Sequence, residues 1–184
     1  MCVDQLIHGI QAGYPNLEIM SSPLLGRIAL FSVDKQYRYI LYVEWDSNKP
    51  YCCFIMLNPS TADHEVSDPT VTRCGVRAKE WGYGGLVVLN IFALRSTNPK
   101  VLYTCSDPIG PENDVAITTM ARHAGIVILG YGSHGKHLNR GAHVLQLLRK
   151  SVVQPMVLKL NKDGKTPAHP LYLSYNHCPM IYGG

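Results

Sequence analysis

At 184 residues, with 46% hydrophobic and 16% charged side chains, the chain suits one globular domain with a sizeable core, which excludes a disordered or low-complexity protein. Its formal charge of +4 favours polyanionic partners mildly and singles out none. No apolar run reaches the length of a membrane span, and Met1-Cys2-Val3-Asp4-Gln5 lacks the basic-then-apolar order of a secretion signal, so a cytoplasmic protein that does not engage a membrane is expected.

Residues 1–50 read as an arm followed by a hairpin. Val3 to Ile10 suit a packing helix or arm, and the apolar runs 28–33 and 37–43 flank the turn residues Asp34-Lys35-Gln36, which predicts an antiparallel β-hairpin ahead of the main unit. From residue 51 apolar strands alternate with helical patterns: strand 51–57, helix 69–81, strand 86–91, helix 111–124, strand 126–130, helix 137–150, strand 156–160. Such alternation predicts an α/β protein whose mostly parallel sheet is covered by helices, a three-layer αβα arrangement with the core in 51–176 and a single domain over 1–184. Asp68-Pro69 supplies an N-cap and a proline at the first helical position, Gly110-Pro111 opens the next helix, and Gly125 ends it.

Cys2, Cys52, Cys53, Cys74, Cys105 and Cys178 are scattered without a C-x-x-C pair, which predicts reduced, mostly buried thiols. Asp63-His64-Glu65 invites a metal reading, but adjacent loop residues rarely close a coordination shell, and no metal site is expected. Asp63 and Asp68 are candidate water-activating carboxylates, with helix capping the plainer role for Asp68. Glu112, Asn113 and Asp114 most simply populate a helix N-terminus, where negative charge is favoured. Gly130-Tyr131-Gly132-Ser133-His134-Gly135-Lys136 lacks the spacing of a nucleotide-binding loop.

Chemistry collects at the predicted strand ends. Asn58 follows the apolar run 53–57 and precedes Pro59, which cannot continue a central strand; Asn90 ends Leu86-Val87-Val88-Leu89; Leu129-Gly130 closes the third strand; and the fourth leads to His169-Pro170. Open α/β sheets bind ligands at this edge, and one pocket is expected to collect all four segments.

These segments, in this order, resemble the uracil-DNA glycosylase superfamily, in which a first strand ends in G-Q-D-P-Y or G-x-N-P-G, a second carries an asparagine, a third ends near glycine, and a last leads to H-P-S. Met56-Leu57-Asn58-Pro59-Ser60, Val87-Val88-Leu89-Asn90, Ile126-Val127-Ile128-Leu129-Gly130 and His169-Pro170-Leu171 match over residues 51–176. The chain also resembles a bacterial and phage family marked by L-N-P-S-T-A-D, D-P-T, W-G-Y and G-P-E-N-D. The glycosylase resemblance implies a four-stranded α/β core and a cofactor-independent, monomeric DNA N-glycosylase. Such an enzyme would act on duplex or single-stranded DNA, flip out uracil or a 5-modified pyrimidine and hydrolyse it from the sugar. Defence against phage DNA carrying hypermodified bases is one setting by analogy.

By position, the resemblance implies catalytic roles for Asn58 and His169; Asp63, read from the loop's own residues, is the candidate carboxylate beside them. Asn90 would read the base edge beside Leu57 and Ser60. Leu171 or Tyr172 would fill the vacated stack, and Ser133, Lys136 and Thr166 would contact DNA. An amide at 58 cannot take a proton from water, and Ser60 and Leu171 replace a pocket-blocking aromatic and a phosphate-gripping serine. A non-catalytic nucleobase- or nucleotide-binding module and a hydrolase of free modified nucleotides are the alternatives.

Overall fold

The computed structural model describes residues 2–60 and 62–184. In chain order it contains α1 (Val3–Gly13), β1 (Leu17–Ser22), β2 (Arg27–Ser32), β3 (Arg38–Glu44), β4 (Tyr51–Met56), α2 (Pro69–Glu80), β5 (Gly85–Asn90), α3 (Asn113–Arg122), β6 (Ile126–Leu129), α4 (Arg140–Lys150), β7 (Met156–Val157) and β8 (Met180–Ile181), with short 3-10 turns between. The described strands form one eight-stranded mixed sheet in the order β1-β2-β3-β5-β4-β6-β7-β8.

This corrects the expected four-stranded, mostly parallel sheet. The four predicted strands are present and parallel, ordered β5-β4-β6-β7, but the hairpin does not stand ahead of them. β3 pairs antiparallel with β5, so β1, β2 and β3 extend the same sheet. The pairing has a plain cause: the edge of β5 would otherwise present unpaired N–H and C=O groups, and β3 satisfies them. β1 and β8 are additional edge strands. The expected strand 156–160 pairs only over Met156–Val157, after which the chain makes one further bridge, Leu160 to Pro167. The expected helix 137–150 begins at Arg140, because 133–139 is wound as tight turns in which Leu138 and Asn139 take positive φ.

Alternate residues of the central strands feed two cores. Cys53, Ile55, Val87 and Leu89 pack with α1, α3 and α4 on one face, while Cys52, Phe54, Val88 and Ile128 pack with Val71, Cys74 and Ala78 of α2 on the other. Burial on both faces explains why β4 and, as far as Leu89, β5 are apolar rather than alternating. Cys52, Cys53 and Cys74 are buried as expected, whereas Cys2 and Cys178 are exposed. Among the described residues no helix is long and apolar enough to cross a membrane.

From β4 the chain crosses to β5 on one side and later returns to place β6 on the other. A crevice therefore opens beyond the carboxyl ends of β4 and β6, where the connections diverge.

Candidate functional site

A cavity of about 470 Å³ occupies that crevice. The segment leaving β4 forms one wall and is zipped to the segment leaving β5: Ile91 N–H donates to Met56 O at 2.8 Å, Phe92 N–H to Leu57 O at 3.0 Å, and Ser96 N–H to Pro59 O at 2.9 Å. Asn58 is part of the zip. Its Nδ2 lies 2.8 Å from Ser96 O, 3.1 Å from Pro59 O and 3.4 Å from Leu94 O. The amine is thus committed to the backbone, and the amide presents the cavity with an acceptor, Oδ1. Leu57 and Ser60 line the cavity on either side of it.

Asn90 is buried at the floor. Its Oδ1 accepts from Arg38 Nη2 at 3.3 Å, so the amide is oriented with Nδ2 as a donor unmatched among the described residues. The strand end that carries it is braced from behind by the G-P-E-N-D segment. Asn113, fully buried, donates through Nδ2 to both Asn90 O and Ile91 O at 3.0 Å. Arg140 adds a bond from Nε to Ile91 O at 2.7 Å and is itself paired with Asp114, which also meets His143 Nε2 at 2.9 Å. Burial raises the Asp114 pKa, but the Arg140 and His143 contacts outweigh it and hold the carboxyl below its ordinary value. Asn113 and Asp114 do more than populate a helix start. They hold the carbonyls from which Asn90 projects.

Arg38, the first residue of β3, was not among the sequence candidates. Its guanidinium is 2% exposed, donates to Ala62 O and Asn90 Oδ1, and lines the cavity. Burial pulls its pKa down to about 10, with Asp68 countering, Arg95 reinforcing and Asp63 countering, and it stays a cation at neutral pH. A lone arginine inside Tyr37-Arg38-Tyr39-Ile40 was the available signal, since an unpaired charge within an apolar strand demands a partner or a purpose.

His169 reaches the cavity from the opposite wall. Ala168 N–H donates to Lys159 O and Gly132 N–H to Pro167 O, tying its segment to the end of β6. Gly130 permits the approach: a Cβ there would lie 2.7 Å from Pro170 Cδ. From α2, Arg73 and Arg77 donate to Leu173 O at 2.6 and 2.8 Å and lie over the Tyr175 ring. Leu171 N–H donates to His169 Nδ1 at 3.4 Å, which leaves the proton of the neutral ring on Nε2. Burial lowers the His169 pKa, partly offset by Asp68, so the neutral form prevails at pH 7.

Asp68 caps α2, its Oδ1 accepting from Val71 N–H at 2.8 Å, and it also contributes a carboxylate to the cavity lining. Asp63 does not line the cavity. Its Oδ1 accepts from Glu65 and Val66 N–H at 2.8 Å, and although burial opposes it, these bonds lower its pKa. Lys136 pairs with Asp163 at 3.0 Å, and buried Thr166 bonds the same carboxylate, so both lie in a neighbouring loop network outside the lining. Ser133 lines the rim beside His134, whose Nδ1 is 2.8 Å from the Tyr103 hydroxyl. Tyr172 lines the rim and is 83% exposed, whereas Leu171 is half-buried and outside the lining. Asn58, Asn90, Leu57, Ser60, Ser133, His169 and Tyr172 are thus brought together; Asp63, Lys136, Thr166 and Leu171 are not.

A family model described as "Protein of unknown function (DUF1643)" matches residues 38–171, and the chain belongs to that family. The matched span opens on Arg38 and includes every residue of the cavity lining except Tyr172. No curated protein and no solved structure matches the chain.

Proposed function

We propose that the protein is a DNA glycosylase, with an α/β core of the uracil-DNA-glycosylase type, that flips uracil or a 5-modified pyrimidine into the crevice and hydrolyses its bond to the sugar. One observation carries the reading: Asn58, Asn90 and His169, from segments far apart in sequence, converge on one cavity at the carboxyl ends of parallel strands. Asn90 Nδ2 would donate to the base O4, and the second lone pair of its Oδ1 would accept from N3–H. His169 Nε2–H would donate to O2. Asn58 Oδ1 would hold one hydrogen of a water whose other proton passes to Asp68. The water oxygen then bonds to C1′ as the sugar–base bond breaks, its electron pair staying on the base, which finally takes up a proton. Asp68 replaces Asp63 in this role because it is the carboxylate that reaches the cavity.

Ser60 leaves room beside the ring for a 5-substituent, and exposed Tyr172 is the side chain suited to fill the vacated stack. A second reading, a nucleobase- or nucleotide-binding module, is favoured by the commitment of the Asn58 amine to backbone carbonyls. The test is incubation with single- and double-stranded oligonucleotides carrying uracil, hydroxymethylated or glucosylated pyrimidines, followed by hot alkali. Scission at a modified base is the expected result. Intact strands across the set, with base or nucleotide binding retained, would establish the binding module instead.

A further inference from the structure

Arg38 should not face this cavity on strand alternation alone. β3 residues Ile40 and Tyr42 belong to the core under α1, α3 and α4, and an unbroken strand would send residue 38 to the same face. The register shifts between Leu30 and Phe31: Leu30 pairs with Ile40, but Phe31 pairs with Arg38, leaving Tyr39 as the extra residue of a bulge. Tyr39 and Ile40 therefore fall on one face, and Arg38 moves to the other beside Phe31 and Ala62. Bulges of this kind commonly re-aim a side chain next to a site.

The charge so delivered is poorly compensated by the protein. Burying a cation is unfavourable unless it is paired, yet no described carboxylate lies within 4.0 Å of Arg38, and its two bonds go to neutral oxygens. Its buried Nε has no partner among the described residues. Asp68 and Asp63 favour the cation, and Arg95 opposes it. Arg38 and Asn90 Nδ2 on the floor and His169 Nε2–H on the opposite wall give the cavity three donors beside the acceptors of Asn58 and Asp68, an arrangement suited to an anion with several acceptor atoms.

Resting on the glycosylase reading, we infer that Arg38 is the residue that stabilises the pyrimidine anion formed as the sugar–base bond breaks, so that the pocket prefers an ionised pyrimidine to a neutral one. The bond electron pair stays on the ring, and Arg38 offsets the resulting charge directly and through the Asn90 amide.

The probe is free 5-nitrouracil, whose ring ionises with a change in ultraviolet absorbance. Bound to the wild-type protein, it should ionise at least one pH unit below its value in solution, a tenfold preference for the anion. Arg38→Met should abolish that difference, and Arg38→Lys should retain most of it. An unchanged ionisation midpoint in the wild type, or an undiminished preference in Arg38→Met, overturns the inference, and if Arg38→Met does not fold, Arg38→Gln, which keeps a donor without the charge, carries the same test with loss of the preference expected. Inorganic phosphate serves as competitor: displacement of the probe that depends on Arg38 and matches the probe's own affinity would assign the cation to a phosphate and overturn the pyrimidine assignment. Anion preference without strand scission would uphold the pocket assignment and remove the glycosylase reading, so the two failures are distinct.

Discussion

Asn58→Asp separates the tether that this residue makes from any role as a stand-in for a catalytic carboxylate. The amide nitrogen has two hydrogens and spends them on Ser96 O at 2.8 Å and Pro59 O at 3.1 Å, with Leu94 O at 3.4 Å. Aspartate puts an acceptor against these acceptors. Two hydrogen bonds at about 1 kcal/mol net each, plus a carbonyl left facing negative charge, give a loss of about 3 kcal/mol. For a chain of this size that lowers Tm by roughly 6–12 °C. Protonation would restore a donor, so the folded variant should bind its proton more tightly than the unfolded chain. Its deficit should accordingly shrink below about pH 4 and widen as the pH rises. Thermal melts of both proteins from acid to neutral pH test this directly. A variant that melts like the wild type and excises faster would show the tether to be dispensable and position 58 to be open to a carboxylate.

Asp68→Asn keeps an N-cap of equal quality but removes a charge that favours the buried Arg38 cation, so the melting temperature should fall slightly while single-turnover excision falls about 10²–10⁴-fold; a wild-type rate would remove Asp68 as proton acceptor. Gly130→Ala places a Cβ 2.7 Å from Pro170 Cδ; reaching an ordinary contact shifts the His169 turn by about 1 Å, which is expected to slow excision about a hundredfold. An unmoved His169 resonance at full activity would contradict it. Because burial lowers the His169 pKa from 6.5, the unfolded chain binds the proton more readily. The stability from this site is present above pH 6.5 and is lost as the pH falls through the folded value. His169→Gln should flatten that acid limb in melting curves, and an unaltered limb would place its origin elsewhere.

What the sequence could convey depended on whether the signal was local. The apolar runs that became β4, β5 and β6 are buried on both faces, so hydrophobicity alone located them, and Asp68-Pro69 marked the start of α2 through capping chemistry. β1 escaped because Leu17-Glu18-Ile19-Met20-Ser21-Ser22 is a half-covered edge strand without strong alternation. β7 was overextended because an apolar run says nothing about where pairing stops. Asn58, Asn90 and His169 were legible as strand-end polar groups. Arg38 was legible as a charge out of place in an apolar strand but not as a cavity residue, because its arrival depends on β3 pairing with β5 and on a one-residue bulge, both properties of long-range pairing. Asp63 and Asp68 share one loop, and only the folded chain distinguishes the carboxylate that closes a turn from the one that faces the cavity.

The cavity draws its lining from both sides of the seam where β3 meets β5, with Arg38 on the antiparallel side and Asn90, Asn58 and His169 on the parallel side. Whatever occupies it can therefore bind only the fully assembled sheet, and its binding energy adds to the stability of the entire chain. A compound present at about one hundred times its Kd would contribute about 2.7 kcal/mol, or roughly 5–11 °C in melting temperature for a chain of this size. Heat itself thus becomes a way to identify the natural ligand. A library of nucleobases, nucleosides and modified oligonucleotides can be screened by melting alone, before any reaction is known, and Arg38→Met identifies which hits owe their effect to this crevice.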